Sequence, residues 1–488
     1  MKQKSLKKNF LYNSLLKVSN IIFPIITFPY VARILLAEGI GKVEFSLSVI
    51  QYFILLSQAG IPTYAVRECA KYRNNKDKLS KTVQEILLIN FPLIVLSYII
   101  LFISLFSFKS FYIYKNLLII MSVNIISTNI GIEWFYQATE EYRLITIRNI
   151  LVRLFTLLLV FLFVKNENDY IVYGVILVLA VSLGYLYNFI YANRYISLFK
   201  KYKNYNLKRH VKSIIILFGM SLSVSIYVNL DKVMLGLISG DKYVGLYTAA
   251  NKIVKIILSI ITSLGTVLLP RMSFYIQTNN QDEINKLIKT AFDFIVMISM
   301  PIVIGLIMLS DSIILFFAGV NYYDAITTIR ILSPIVFAIG LSNLIGIQIL
   351  VSHGKEKLTL LSTIIGSIVN FTFNFILIPK YKQNGAAVGT LIAEFTVTVV
   401  QIFLAQKYLK GNIKVRNIFE YVISSISIVL ICMSISYITK NLVYRMAFSV
   451  ILSSCSYFGI LYVIRNEFVF QIINSYTNKL KSRFLQKR

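Results

Sequence analysis

Acidic residues are scarce in this chain. It has 21 Asp and Glu against 50 Lys and Arg, and charge of either sign makes up only 15% of its residues. A water-soluble domain carries about 25% charged residues. With 57% hydrophobic residues and a mean hydropathy of +0.71, a soluble fold of this size could not hide its apolar surface, because surface-to-volume scaling always leaves a large exterior to solvate. Cysteine occurs at Cys69, Cys432 and Cys455, too scattered for a disulfide framework or a metal-ligand spacing. Histidine occurs only at His210 and His353, both in expected inner loops, and there is no ATP-binding motif. No region between apolar runs is long enough for a soluble domain, and the basic residues sit in short clusters. The net charge of +29 is therefore not read as a nucleic-acid surface. The basic start Lys2-Gln3-Lys4-Ser5-Leu6-Lys7-Lys8 resembles a signal peptide. The apolar stretch behind it runs to about Ala32, too long for a usual signal core and without a small-residue cleavage site, so it reads as a retained first span.

What the chain has in abundance is long apolar runs. A spanning helix needs about 20 mostly apolar residues, and fourteen candidates are expected near 10–32, 43–61, 83–107, 116–137, 144–164, 170–193, 213–237, 244–269, 288–310, 326–351, 359–379, 385–406, 418–438 and 446–464. With the N-terminus inside, the inner segments carry 34 Lys and Arg and the outer segments 10, with six left in spans. That asymmetry fits the positive-inside rule and an even number of crossings, with both termini inside. Much of the positive charge is thus topology and contact with anionic lipid.

The longest inner loop, from Arg194 to Lys212, separates six expected spans from eight. The stretch from Val31 to Phe45 matches that from Val233 to Tyr247: a span exit, a small turn with Gly and an acid, and an aromatic start to the next span. Two parallel repeats of six spans would follow; chance likeness between short turns is the alternative. The expected division is 1–200 for a first six-helix lobe, 201–410 for a second, and 411–488 for two further helices and a basic tail.

A charge at the centre of a span costs roughly 2.5–3.5 kcal/mol, so such residues usually face a bundle interior or a wet cavity. The in-span cations are Lys17, Arg153, Lys232, Lys252, Lys255 and Arg330. The acids within or at the ends of spans are Glu44, Glu85, Glu133, Asp231, Asp293 and Glu394. Helical spacing places Thr248, Lys252, Lys255, Ser259, Thr262 and Thr266 on one face. Asn13, Lys17, Asn20, Pro24 and Thr27 form a second stripe, Thr359, Thr363, Ser367, Asn370 and Asn374 a third, and Thr390, Glu394, Thr398 and Gln401 a fourth. Four such stripes point to a central, water-filled, cationic cavity, with Asn13, Asn20, Asn370 and Asn374 among its lining. The bland readings are that Lys17, Arg153 and Lys232 snorkel to the interface, that Glu85 and Asp293 are interfacial, and that Asp231 neutralises a cation on another helix. The pair Lys252 and Lys255 resists them, since like charges one turn apart repel and an anionic visitor would relieve both. Pro24, Pro92, Pro301 and Pro334 fall inside expected spans and would kink them.

The run Phe23-Pro24, Phe28-Pro29-Tyr30-Val31-Ala32-Arg33 and Glu38-Gly39-Ile40-Gly41 resembles the start of the bacterial polysaccharide (O-antigen, Wzx-type) flippases. These share a superfamily with the MATE multidrug exporters and the lipid II flippases. The resemblance continues through Gly60 and Arg67-Glu68, then Gly319 and Arg330-Ile331-Leu332-Ser333-Pro334. It returns at Gly366, Asn370, Asn374, Pro379, Gly385-Ala386-Ala387 and Glu394. It spans most of 8–410. Leu36 departs from the pattern, which more often has Gly there.

The resemblance implies an all-α polytopic membrane protein with two pseudo-symmetric six-helix lobes around a central cationic cavity, plus two C-terminal helices. It implies a flippase, not an enzyme, that moves an undecaprenyl-diphosphate-linked oligosaccharide across the bacterial cytoplasmic membrane for surface polysaccharide synthesis. No cofactor or metal is expected. A polysaccharide polymerase and chain-length machinery would be partners. Lys17, Arg33, Arg153, Lys232, Lys252, Lys255 and Arg330 are the expected substrate contacts. Glu44, Asp231 and Glu394 are the candidate ion-coupling carboxylates for alternating access. The runner-up is a MATE-type exporter of organic cations, which should favour an acid in its first span; here that span has Lys17 and no acid. A membrane polymerase or acyltransferase is a third reading, weakened by the absence of a long outer loop.

Overall fold

The computed structural model describes residues 6–409 and 415–471; the basic tail beyond 471 and the side chain of Thr266 lie outside the described residues. Every regular element among the described residues is helical. This is what lipid demands, because a backbone amide or carbonyl facing hydrocarbon has no water to bond and must find its partner within the segment. Eleven helices among the described residues are long and apolar enough to cross a membrane. The stretch Leu11–Lys71 covers the expected spans at 10–32 and 43–61, and Glu356–Leu404 covers those at 359–379 and 385–406 to within two residues. Eleven is therefore a count of helices and not of crossings. Large apolar side chains stand exposed along them, such as Phe91, Leu151, Phe375 and Leu430, as a lipid-facing surface requires.

Contacts divide the chain into two compact units, Met1–Thr248 and Ala249–Arg488. The expected division near 200 rests on repeats, whereas this one rests on packing.

The first unit is built from α1 (Leu6–Gln58), α2 (Ile61–Lys71), α3 (Lys76–Ser107), α4 (Lys109–Tyr112), α5 (Lys115–Ile130), α6 (Glu133–Ala138), α7 (Tyr142–Phe163), α8 (Tyr170–Ala192), α9 (Lys208–Ile238) and the first residues of α10 (Asp241–Gln277). The expected span at 213–237 falls on α9. One core gathers Tyr64, Leu79, Ile86, Trp134, Phe135, Tyr136, Ile196 and Ile214 from the ends of several helices. The long loop after α8 is tied to the start of α3. The Gln84 amide donates to the carbonyls of Ser197, Leu198 and Lys200 at 2.8–2.9 Å. Asp77 takes both the Lys200 ammonium at 2.8 Å and the Tyr202 hydroxyl at 3.0 Å. The hydrogen bond it donates to Asp77 holds the exposed Lys200 ammonium above its ordinary pKa.

The two matching turns of the sequence meet inside this unit. A Cβ on Gly41 would lie 1.8 Å from the carbonyl oxygen of Asp241, and one on Gly245 would lie 1.9 Å from that of Ala37. Backbone rests on backbone, which only glycine permits at these positions. Beside them α1 is broken: Leu36 has φ 57° and ψ −177°, so the helix before it and the helix after it are separate. That conformation is nearly restricted to glycine and costs another residue about 1–3 kcal/mol. The departure noted at Leu36 is thus a strained position.

The second unit continues α10 and adds α11 (Gln281–Met308), α12 (Ser310–Phe317), α13 (Ala325–Leu332), α14 (Ile335–Ser342), α15 (Glu356–Leu404), α16 (Gln406–Leu409), α17 (Val415–Ile438) and α18 (Leu442–Val463). The expected span at 326–351 is a composite. Pro334 stands between α13 and α14, and Asn343–Val351 winds as a π-helix. α15 is broken at Lys382 (φ 53°). α17 and α18 are fixed to α11: Asn417 donates to Asp293 at 3.0 Å and the Tyr457 hydroxyl to the Met297 carbonyl at 2.8 Å. Asp293, expected at the interface, is 2% exposed and serves this packing.

Two substitutions test the turn. Leu36→Gly should raise stability in detergent by about 1 kcal/mol through relief of the strained φ, less glycine's entropic cost. Gly41→Val should lower it and broaden unfolding. Thermal unfolding of the two purified variants reads both signs.

Candidate functional site

In the first unit, three of the expected site residues gather beneath the paired turns. The broken α1 carries Glu44 two turns past Leu36, and α9 carries Asp231 and Lys232. The Lys232 ammonium meets a Glu44 carboxylate oxygen at 2.6 Å, with only 18% and 10% of the two side chains exposed. Asp231, 5% exposed, accepts the Tyr247 hydroxyl at 2.6 Å. Just above, Asp241 accepts the Tyr114 hydroxyl at 2.6 Å, and Lys42 is bridged to Glu38 at 2.9 Å. Lys232 and Glu44 were assigned different tasks by sequence, an anion contact and a coupling carboxylate. They lie together as one ion pair.

The other expected residues of this unit are on α1 and α7. Asn13 is half-buried, and Lys17 and Asn20 are exposed along the first half of α1. Arg33 is exposed one turn before the break. Arg153 is half-buried with its guanidinium 5.9 Å from the centre of the Phe23 ring, a cation–π approach that ties α7 to α1.

In the second unit, Lys252 is half-buried and Lys255 exposed on α10. Arg330 on α13 donates to the Ser310 hydroxyl at 2.7 Å. It lines a cavity of about 370 Å³ with Asp311, Tyr323, Asp324, Gln383 and Asn384. The third and fourth polar stripes are the two halves of the broken α15, and much of their polarity is consumed in packing. Gln401 donates to Ser362 at 3.0 Å, Thr398 to the Ala338 carbonyl at 2.9 Å, and Asn374 to Asn370 at 3.2 Å. Asn370 and Asn374 are buried, and Glu394 is half-buried on the later half of the helix.

Sequence reasoning missed a buried cluster where α3, α2 and α9 converge. Glu85, fully buried, takes the Arg209 guanidinium at 2.6 Å, His210 Nε2 at 2.9 Å and the Asn206 amide at 2.8 Å. His210 Nδ1 lies 2.6 Å from the Tyr64 hydroxyl. Expected in a loop and at an interface, His210 and Glu85 are instead joined inside the protein. Another pair, Arg148 and Glu133 at 2.7 Å, likewise settles an in-span acid.

The model of the family described as polysaccharide biosynthesis protein matches residues 6–276, more than half of the chain. The chain belongs to this family. A second model, MatE, matches residues 216–376. The curated "Putative O-antigen transporter" of Escherichia coli K12 is 26% identical over 416 residues, covering 82% of this chain and 97% of that protein. A solved structure described as the lipid II flippase MurJ in an inward closed conformation superposes with a TM-score of 0.76 at 16% identity, over 94% of this chain and all of that one. An inward-facing multidrug resistance MATE family transporter of the MOP superfamily gives 0.63 at 14%, over 80% and 94%. The fold of this polysaccharide biosynthesis family member is that of the MurJ- and MATE-like transporters, and the chain is a multi-pass membrane protein.

The pair under the turns can be tested directly. Glu44→Gln strands the Lys232 ammonium in a mostly buried place and should cost about 3–5 kcal/mol. Glu44→Leu with Lys232→Met should recover most of that loss. Unfolding of both variants in detergent, monitored by the fluorescence of Trp134, gives the comparison.

Proposed function

We propose that the chain is a flippase that moves an undecaprenyl-diphosphate-linked oligosaccharide from the inner to the outer leaflet of a bacterial cytoplasmic membrane, for surface polysaccharide synthesis. The observation that carries the reading is the likeness, over 82% of this chain and 97% of that protein, to the "Putative O-antigen transporter" of Escherichia coli K12. The family model and the fold of a lipid II flippase support it. So does the charge of the spans, because a diphosphate is the group that cations on otherwise apolar helices would attract.

In this account the diphosphate and sugars enter a polar interior from the side of the basic inner loops while the prenyl chain stays in lipid. Lys17, Arg33, Arg153, Lys252, Lys255 and Arg330 are the proposed anion contacts. Asn13 and Asn20 supply neutral hydrogen-bonding groups for sugar hydroxyls; Asn370 and Asn374, expected in the same lining, are buried and bonded to each other. Both termini face the cytoplasm, and residues 1–200 and 201–410 act as the two lobes of an alternating-access carrier, with the last two helices beside them. The energy comes from an ion gradient through Glu44, Asp231 or Glu394. Glu44 suits this task physically: a proton or metal cation taken by its carboxylate frees Lys232 to meet the diphosphate. A polymerase and chain-length machinery would receive the product.

The MatE match over 216–376 favours one second reading, export of organic cations. A drug-susceptibility assay in an efflux-deficient host separates the two. With expression matched, Lys252→Ala plus Lys255→Ala should cut surface polysaccharide at least tenfold and leave drug susceptibility unchanged. Wild-type levels of polysaccharide in that double variant would remove the proposed site.

A further inference from the structure

A further cavity lies in the first unit, away from the pair of Glu44 and Lys232. It has a volume of about 960 Å³ and lies where the start of α1, the start of α7 and the end of α8 come together. The Thr146 hydroxyl donates to the Tyr12 carbonyl at 2.9 Å and closes one side.

Its walls are graded. At one end stand Lys8, Asn9, Glu140, Glu141 and Arg143, from the basic start of the chain and the turn before α7. Two to three turns further along α7, and opposite on α8, the lining is Ile147, Leu151, Val152 and Leu183. Ile147, Leu151 and Leu183 are 44%, 60% and 42% exposed, so this end opens toward the lipid-facing surface. Tyr187 and Tyr191 at the end of α8, their rings stacked at 5.5 Å, and Tyr195 just beyond it complete the lining.

The charges at the polar end are not equally engaged. Glu140 is bridged to Arg73 at 2.8 Å, and Glu141 is hydrogen-bonded to the Tyr195 hydroxyl. Lys8 and Arg143 are exposed at the rim. Arg148 forms the inner wall and is 7% exposed. One terminal nitrogen donates to Glu133 at 2.7 Å and to Asn149 Oδ1 at 3.2 Å, and the other to the Gly184 carbonyl at 3.3 Å. With Glu140 engaged by Arg73 and Glu141 by Tyr195, the exposed Lys8 and Arg143, with Arg148 behind them, are the groups that face a negative headgroup. The apolar half selects a hydrocarbon chain attached to it.

We propose that this cavity is a binding site for one lipid with a phosphate or diphosphate headgroup, the headgroup held by Lys8, Arg143 and Arg148 and the first part of its chain lying on Ile147, Leu151 and Leu183. The same chemistry has two sources in a membrane, a bulk phospholipid and a polyprenyl diphosphate. The site stands whether or not the chain is a flippase, because it is read without any glycan.

Native mass spectrometry of the detergent-purified protein, titrated separately with phosphatidylglycerol, undecaprenyl diphosphate and uncharged diacylglycerol, tests it. The wild type should retain one molecule of at least one phosphate lipid at a concentration where diacylglycerol is lost; which of the two is held tells the source. Lys8→Ala with Arg143→Ala should weaken that retention about tenfold. Leu151→Trp, which keeps every charge and fills the apolar end from an exposed position, should weaken it comparably. Equal retention of diacylglycerol, unchanged retention in the charge variant, or unchanged retention in Leu151→Trp would each overturn the site. Monodisperse elution and an unchanged melting temperature establish that the variants are folded.

Discussion

Lipid offers no hydrogen-bond partners, and this one constraint organises the molecule. It requires that backbone groups be satisfied within each segment, so the described chain is helical throughout its regular structure. It also decides where polarity can stay. Glu44 with Lys232, Glu133 with Arg148 and Asp293 with Asn417 each place a charge that hydrocarbon would not tolerate against a partner that compensates it. The breaks in α1 and α15 obey the same constraint. Each is confined to a single residue with positive φ, so only a short length of backbone leaves the helical ladder.

The glycines at the paired turns extend this logic from charge to shape. Helices in lipid gain little from hiding apolar side chains from one another, so close backbone approach supplies the attraction. Gly41 against Asp241 and Gly245 against Ala37 bring two turns with matching sequences into contact within the first unit. The buried pair of Glu44 and Lys232 lies directly beneath. Glu44 follows the first turn on α1 and Lys232 precedes the second on α9, so the pair joins the same two segments that the glycines join.

Hydropathy made the spans legible because each is a local run of residues. Caps such as Asn75 and Asn441 are local too. The likeness of the two turns was visible as a pattern, but not that they touch, since contact between residues about 200 apart leaves no periodic trace. The cluster of Glu85, Arg209, His210 and Tyr64 escaped for the same reason: its members lie on three helices. The polar stripes show the opposite difficulty. Thr359, Thr363, Thr398 and Gln401 have the spacing of a wet lining, yet the threonines bond to backbone carbonyls and Gln401 donates to Ser362. A helix face made polar for packing and one made polar for a ligand have the same sequence period. Of the expected site residues, Glu44 and Lys232 are the two that the fold joins directly in an ion pair.

The central claim is lipid-linked oligosaccharide movement, and it is most directly tested in vesicles. An undecaprenyl-diphosphate-linked oligosaccharide from cells that carry the protein is placed in liposomes, with and without the purified chain, under an imposed proton or sodium gradient. A membrane-impermeant glycan oxidant then reports the fraction of sugar exposed outside. The account predicts that protein-containing vesicles move this fraction well away from the roughly even distribution of passive liposomes, and that collapsing the gradient abolishes the difference. A fraction identical to that of protein-free vesicles under both gradients, with the protein folded and inserted, would contradict it.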